Sequence, residues 1–214
     1  MINEISAQSV DASFWNRVSS GWSNPDQHFL PQNERVNGNP DYRCVKSGLS
    51  PLVERMLASE DLILDLGSGG LPTIYLPQEL MPRLTAVDIA ADMLRNNPAA
   101  TRIVHDVNAP LPFEDNSFGF LTSFFLLRYL EDPGIALSEM SRVLKVGGEF
   151  TAVDYTKLGH TKEVFTPNMA QLNSMVLAAG FRDVQVTALT ERYVASLYSE
   201  GLELKTMYMI AAKK

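Results

Sequence analysis

The chain contains little cysteine, little histidine and few basic residues. It has one Cys, three His and 18 Lys+Arg against 25 Asp+Glu in 214 residues. A single cysteine, Cys44, excludes a disulfide framework and a cysteine-based metal site. A net charge of −7 without any Lys/Arg cluster argues against nucleic-acid and anionic-membrane partners. No run approaches the roughly 18 apolar residues of a membrane span, and the first residues lack a leader pattern. We therefore expect a cytoplasmic protein that binds neither nucleic acid nor a membrane.

The composition and periodicity of the sequence change near residue 45. Residues 1–45 hold aromatic residues among Asn, Pro and Gln, with no sustained period, and we assign them to an N-terminal cap or lid. Either this segment is a surface arm that covers one edge of the core, or it closes over a pocket. Residues 46–214 follow a regular pattern and form the main domain, which is long enough to bury a core.

Alternating strands and helices predict an α/β, Rossmann-like domain with a mostly parallel sheet and helices on both faces. Three pairs indicate helix boundaries: Ser50-Pro51 begins a helix, Gly147-Gly148 ends one, and Thr166-Pro167 begins another. Asp132 caps a further helix. The last two strands follow each other directly, which predicts an antiparallel hairpin at the sheet edge. Strands are predicted at 62–66, 84–89, 102–105, 118–125, 149–155, 184–189 and 206–212.

The first strand ends in an acid and a glycine turn. Asp65 is followed at once by Gly67, Gly69 and Gly70, so backbone without side chains lies beside a carboxylate at the end of a buried strand. The next strand ends in Asp88, 23 residues after Asp65. An acid at that offset is suited to accept both hydroxyls of a ribose. A dinucleotide fingerprint would need glycine at position 72, where the chain has proline. The pattern favours a site for a single nucleoside.

Four segments in order resemble the class I S-adenosylmethionine-dependent methyltransferases, in the small-metabolite, UbiE-like branch. They are 65–70, 86–88, 111–133 and 142–148. The resemblance implies a seven-stranded sheet with an antiparallel last strand. It also implies S-adenosyl-L-methionine as cofactor and methyl transfer to O, N or C of a small-molecule acceptor by in-line displacement. The chain departs from the family pattern at Leu71, Gly119, Arg128 and Tyr129.

The resemblance also implies which residues bind the cofactor. Asp65 lies near the methionine ammonium, Asp106 near the adenine amino group, and Phe124 under the methionine arm. The full predicted set is Asp65, Gly67, Gly69, Gly70, Asp88, Ile89, Met93, Asp106, Val107, Phe124 and Arg43.

Candidate proton acceptors are expected where strands end, because open α/β sheets bind ligands there. Asp154 ends the fifth strand, Tyr129 follows the fourth, and His28 lies in the N-terminal segment. Arg128 either binds an anionic acceptor or pairs with Glu131. A cofactor-binding protein without catalysis, acting as a partner or regulator, is the alternative function. The sequence leaves the acceptor and the oligomeric state open.

Overall fold

The computed structural model describes residues 11–22, 40–70, 72–156, 167–195 and 202–214. The helices are α1 (Ala12–Trp22), α2 (Pro40–Ala58), α3 (Ala91–Leu94), α4 (Pro133–Val143) and α5 (Met169–Ala178), with short 3-10 turns at Pro72–Ile74, Gln78–Arg83 and Leu127–Tyr129. The strands are β1 (Ile63–Leu66), β2 (Leu84–Asp88), β3 (Thr101–Val104), β4 (Phe118–Phe124), β5 (Leu144–Tyr155), β6 (Arg182–Ala195) and β7 (Leu202–Lys213).

The seven strands form one sheet in the order β3-β2-β1-β4-β5-β7-β6. Strands β1 to β5 run parallel, and β7 inserts antiparallel between β5 and β6. The predicted Rossmann-like sheet and its closing antiparallel hairpin are therefore confirmed. None of the helices in the described ranges combines the length and apolarity needed to cross a membrane.

Hydrophobic layers cover both faces of the sheet, as a buried parallel sheet requires. Every residue of β1 and β2 is buried. One layer contains Leu137 and Met140 of α4 together with Leu172 of α5. The other contains Leu49 and Met56 of α2. Since both faces are covered, the strand ends are where the sheet is open to a ligand.

Three predicted boundaries are wrong: two because tertiary contacts outweigh the local signal, and one because a local capping box starts α5 at Met169. The helix predicted to begin at Ser50 begins at Pro40, since Val45 and Leu49 are buried in the core, and Pro51 is tolerated inside it. That helix runs across residue 45. Gly147-Gly148 lies within β5, where the register against β4 shifts. The helix predicted at Thr166 begins at Met169.

Two capping interactions explain where α4 and α5 begin. Asp132 Oδ1 accepts the N–H groups of Gly134 (2.9 Å) and Ile135 (3.2 Å), so the predicted cap is confirmed. The start of α5 is fixed by a capping box in which Asn168 and Gln171 exchange side-chain and backbone hydrogen bonds of 2.9 Å each.

Candidate functional site

The candidate site lies at the edge where the parallel strands end. The chain order reverses between β1 and β4, which is where open α/β sheets bind ligands. Asp65 and Asp88 lie near the ends of the adjacent strands β1 and β2. Asp65 is opposite Ala86 in the register, so Asp88 lies two positions further along. The topology thus brings both predicted acids to one crevice.

The glycine turn folds over the end of β2. The N–H groups of Gly67 and Ser68 both donate to the carbonyl of Val87, at 2.8 and 3.0 Å. Gly67 and Gly69 have φ angles of 69° and 58°, which side chains rarely adopt. A Cβ at Gly67 would lie 3.0 Å from Cβ of Leu126. A Cβ at Gly69 would meet no described atom within 4 Å, so this backbone faces open space.

Asp88 connects the glycine turn to the helix that follows it. Its Oδ2 accepts the N–H of Gly69 at 3.0 Å, and its Oδ1 accepts the N–H of Ala90 at 2.9 Å. Burial raises the pKa of Asp88, and the N–H groups of Ala90, Gly69 and Ile89 oppose the shift. Each carboxylate oxygen has two lone pairs. The three N–H groups therefore leave lone-pair capacity on the carboxylate for a ribose hydroxyl.

Asp65 is a buried carboxylate with one oxygen unsatisfied. Its Oδ1 accepts the Thr122 hydroxyl at 2.7 Å, while Oδ2 has no hydrogen-bond partner among the described residues. Burial raises the pKa of Asp65 to about 6; the hydroxyls of Ser68 and Thr122 oppose the rise, and the charge of Asp88 adds to it. A buried charge requires a partner. A ligand cation such as an ammonium group fits this oxygen.

The residues predicted to surround adenine cluster around the end of β2 and β3. Met93 is buried and Ile89 half-buried, both just after Asp88. The N–H of His105 donates to the Asp88 carbonyl at 3.0 Å, so the end of β3 lies beside that acid. Asp106 is exposed and accepts the Asn108 N–H at 2.9 Å, and Val107 belongs to the core. Their ligand roles stay predictions.

Helix α1 bridges the two sides of the site. Asn16 Oδ1 accepts the N–H of Asp92 at 3.1 Å, at the first turn of α3. Next to it, the Trp15 ring packs edge-on against Tyr129, with ring centroids 5.0 Å apart. The predicted proton acceptor His28 lies outside the described residues. Arg43 is exposed in the first turns of α2.

Four half-buried rings stand beside the glycine turn, and we call Tyr75, Phe124, Phe125 and Tyr155 the aromatic wall. Tyr75 contacts Phe124 and Phe125 with ring centroids 4.7 and 6.1 Å apart. Phe125 stacks on Tyr155 at 5.4 Å and an interplanar angle of 23°. The ends of β4 and β5 thus present a continuous aromatic surface next to the predicted cofactor site.

Behind this wall, Arg128 and Asp154 form a fully buried ion pair. Asp154 also accepts the N–H groups of Arg128 (3.2 Å) and Tyr155 (2.8 Å). Burial raises the pKa of Asp154, and the Arg128 guanidinium opposes the rise. The guanidinium lies 4.7 Å from the Tyr129 ring centroid. Arg128 therefore pairs with Asp154, a partner that was not among the two alternatives predicted for it.

Two contributors to the site were not predicted. Asn97 is buried and donates to the Gly69 carbonyl at 2.6 Å, and Thr122 binds Asp65. Neither position follows a local motif, because each contact joins residues more than 25 positions apart. Gly119, where the chain departs from the methyltransferase pattern, lies at the start of β4. A Cβ added at this glycine would lie 2.4 Å from the Cβ of Asp61. Packing at the opposite end of the strand, and not ligand binding, accounts for that glycine.

Comparisons with known proteins agree with this geometry. Residues 64–152 match the family model described as "Methyltransferase domain". The chain is 40% identical over 84 residues to the demethylmenaquinone methyltransferase of Staphylococcus aureus (strain JH9), covering 36% of this chain and 35% of that protein. It thus spans about a third of the length of the curated relatives that it matches.

Two solved structures share the fold. An S-adenosylmethionine-dependent methyltransferase from Archaeoglobus fulgidus has a TM-score of 0.63 at 18% identity, covering 84% of this chain and 96% of that one. The [4+2]-cyclase SpnF has a TM-score of 0.66 at 14% identity, covering 95% and 94%. Residues 64–152 are thus similar to a methyltransferase domain, and the fold is one that S-adenosylmethionine-dependent methyltransferases share.

Proposed function

We propose that this protein transfers the methyl group of S-adenosylmethionine to O, N or C of a small-molecule acceptor. The observation that carries the proposal is the linkage of Asp88 to the glycine turn through the 3.0 Å bond to Gly69. That bond places a carboxylate with spare lone pairs beside backbone that faces open space. The domain match to residues 64–152 supports the same activity.

The site residues fit the cofactor group by group. Asp88 accepts the ribose hydroxyls, and the open backbone at Gly69 lies against the nucleoside. The unsatisfied Oδ2 of Asp65 receives the ammonium group. S-adenosylmethionine, when bound, would supply a methyl group on a positively charged sulfur. The sulfur leaves as a neutral thioether, so no acid is needed to protonate it. The remaining predicted contacts are Gly67, Gly70, Ile89, Met93, Asp106, Val107, Phe124 and Arg43.

The acceptor is proposed to bind between α1 and the aromatic wall. Trp15 and Tyr129 close one side, and the N-terminal segment before α2 is proposed to act as the cap or lid. Holding the acceptor atom, methyl and sulfur in line in a dry pocket contributes roughly 7–11 kcal/mol. An acceptor hydroxyl or protonated nitrogen must also lose a proton. Tyr129, Asp154 and His28 are the predicted acceptors of that proton, and Asp154 is buried in its pair with Arg128.

The second candidate is a cofactor-binding protein without catalysis, acting as a partner or regulator. The cyclase SpnF shares this fold, so the fold alone does not determine transfer. The decisive experiment measures binding of S-adenosylmethionine by calorimetry and transfer of its labelled methyl group to a pool of small metabolites. Binding with transfer supports the proposal. Binding with no transfer to any metabolite supports the second candidate.

The cofactor site is tested by Asp88→Ala, with Asp92→Ala as the matched control. Asp92 is an acid four positions later whose side chain pairs with Arg95 at the surface. We expect Asp88→Ala to abolish measurable nucleoside binding in a folded protein, and Asp92→Ala to bind within about twofold of the parent. Equal affinity of the Asp88 variant and the parent would refute the assigned site.

A further inference from the structure

We propose that Phe125 determines acceptor specificity, by holding a strained backbone that turns its ring into the aromatic wall to stack on a flat, unsaturated acceptor. The inference rests on the proposed function and adds the chemical class of the acceptor. No sequence motif singled out this residue; the geometry at the end of β4 points to it.

Phe125 adopts a backbone conformation that its residue type disfavours. Its φ is 60°, in the left-handed region that suits glycine and is a marked outlier for a bulky side chain. The other described non-glycine residues with positive φ are Asn116 and Asp183, types that tolerate this region. The N–H of Phe125 donates to the Val153 carbonyl at 2.8 Å, which holds the strained turn against β5. Strain of this kind persists where the surroundings impose it, and it is concentrated at functional sites.

The strained turn lies directly against the cofactor loop. The next residue is Leu126, and its Cβ lies 3.0 Å from the point where a Cβ added to Gly67 would stand. The Phe125 ring itself lies between Tyr75 and Tyr155, with centroids 6.1 and 5.4 Å away. The residue is half-buried. Phe125 therefore lies next to the residue that contacts the cofactor loop, within the aromatic wall.

The arrangement of charges and ring faces selects among acceptors. The Arg128 guanidinium lies 5.6 Å from the ring centroids of both Phe125 and Tyr155, and 4.7 Å from Tyr129. Since a cation already lies over these rings, a second cation gains little from them. A flat, uncharged or anionic ring instead continues the offset stack of Phe125 and Tyr155. The wall thus fits a planar conjugated acceptor better than an alkylammonium.

A matched pair of probes tests this directly. 2-Naphthol and decahydro-2-naphthol share one carbon skeleton and one hydroxyl, but only the first is flat. Each is titrated into the full-length protein loaded with S-adenosylhomocysteine, for the parent, Phe125→Asn and Phe125→Leu. Asn relieves the backbone strain and removes the ring, whereas Leu keeps apolar bulk without a flat face. Asp183→Gly, which relieves a left-handed residue in β6, is the control.

We expect the parent to bind 2-naphthol about tenfold more tightly than the saturated probe. Both Phe125 variants should reduce that ratio to below about twofold and leave S-adenosylhomocysteine affinity within about twofold. The control should keep the parent ratio. Equal affinities in the parent, no binding of 2-naphthol, or an unchanged ratio in whichever Phe125 variant folds would overturn the inference. Failure of the parent to bind S-adenosylhomocysteine would instead refute the proposed function.

Discussion

Asn97 donates its side-chain amide to the carbonyl of Gly69 at 2.6 Å, across 28 positions of the chain. The same amide nitrogen also donates to Ser68 Oγ at 2.9 Å. The Asn97 side-chain oxygen accepts the N–H of Ala99 at 2.9 Å, which fixes the orientation of the amide. A single buried side chain thus supports the glycine turn from behind, on the side away from the open space at Gly69.

Replacing Asn97 should weaken cofactor binding without touching any predicted contact to the cofactor. In Asn97→Ala, a half-buried carbonyl and hydroxyl lose their donor. Each lost hydrogen bond costs about 0.5–1.5 kcal/mol, and the turn can relax. We expect S-adenosylhomocysteine affinity to fall about tenfold, measured by calorimetry. Asn96→Ala, at the exposed neighbouring position, is the control. Unchanged affinity in Asn97→Ala would mean that the turn keeps its shape unaided.

Asp65 makes cofactor binding dependent on pH. Burial raises its pKa to about 6 in the protein alone, and an ammonium beside Oδ2 requires the ionised form. Binding at pH 6 should therefore release about half a proton per site, and affinity should fall as the pH drops below 6. Calorimetry at pH 6 in buffers of different ionisation enthalpy measures the proton release. An Asp65→Asn variant that released as many protons as the parent would contradict this assignment.

The raised pKa of Asp65 also makes the stability of the protein without cofactor depend on pH, and here low pH is favourable. A carboxyl whose pKa rises from 3.8 to about 6 on folding favours the folded state fully below pH 3.8. That contribution is lost as the pH rises through 6, about 3 kcal/mol in total. We therefore expect Asp65→Asn, unliganded at pH 8, to unfold at a higher urea concentration than the parent. A variant that bound the cofactor poorly and was also less stable would show that Asp65 serves packing.

The predictable features of this protein are those fixed by local chemistry. The glycine turn requires positive φ at Gly67 and Gly69, and the strand-end position of Asp88 follows from the apolar run before it. The Asp132 cap depends on residues two and three positions away. The alternation of strands and helices likewise sufficed for the sheet and its closing hairpin. In each case the determining atoms lie close together in the sequence.

The features that sequence patterns did not predict depend on distant contacts. Pro51 resembles a helix start, yet burial of Val45 and Leu49 extends α2 back through it. Asn97 reaches the glycine turn only after β2 and α3 have folded. The strain at Phe125 cannot be inferred from its residue type, which argues against it. The roles of such positions can be recognised only from the three-dimensional structure.

The buried pair of Arg128 and Asp154 yields a test of the predicted proton acceptor. In Asp154→Asn, the buried guanidinium loses its carboxylate, and we expect a loss of about 3–5 kcal/mol in the free energy of unfolding. The double variant Arg128→Met, Asp154→Leu removes both charges and should recover most of that stability. Urea unfolding of the parent, the single variant and the double variant measures both effects.

The rate of methyl transfer separates a structural pair from a catalytic base. If Asp154 only supports Arg128 and the aromatic wall, the double variant should retain a rate within about tenfold of the parent, measured with an acceptor from the metabolite pool. If Asp154 takes the proton, the rate should fall by about 10²–10⁴ in the stable double variant as well. The buried position of Asp154 and its bonds to Arg128 and Tyr155 favour the first outcome. A stable but inactive double variant would assign the proton to Asp154.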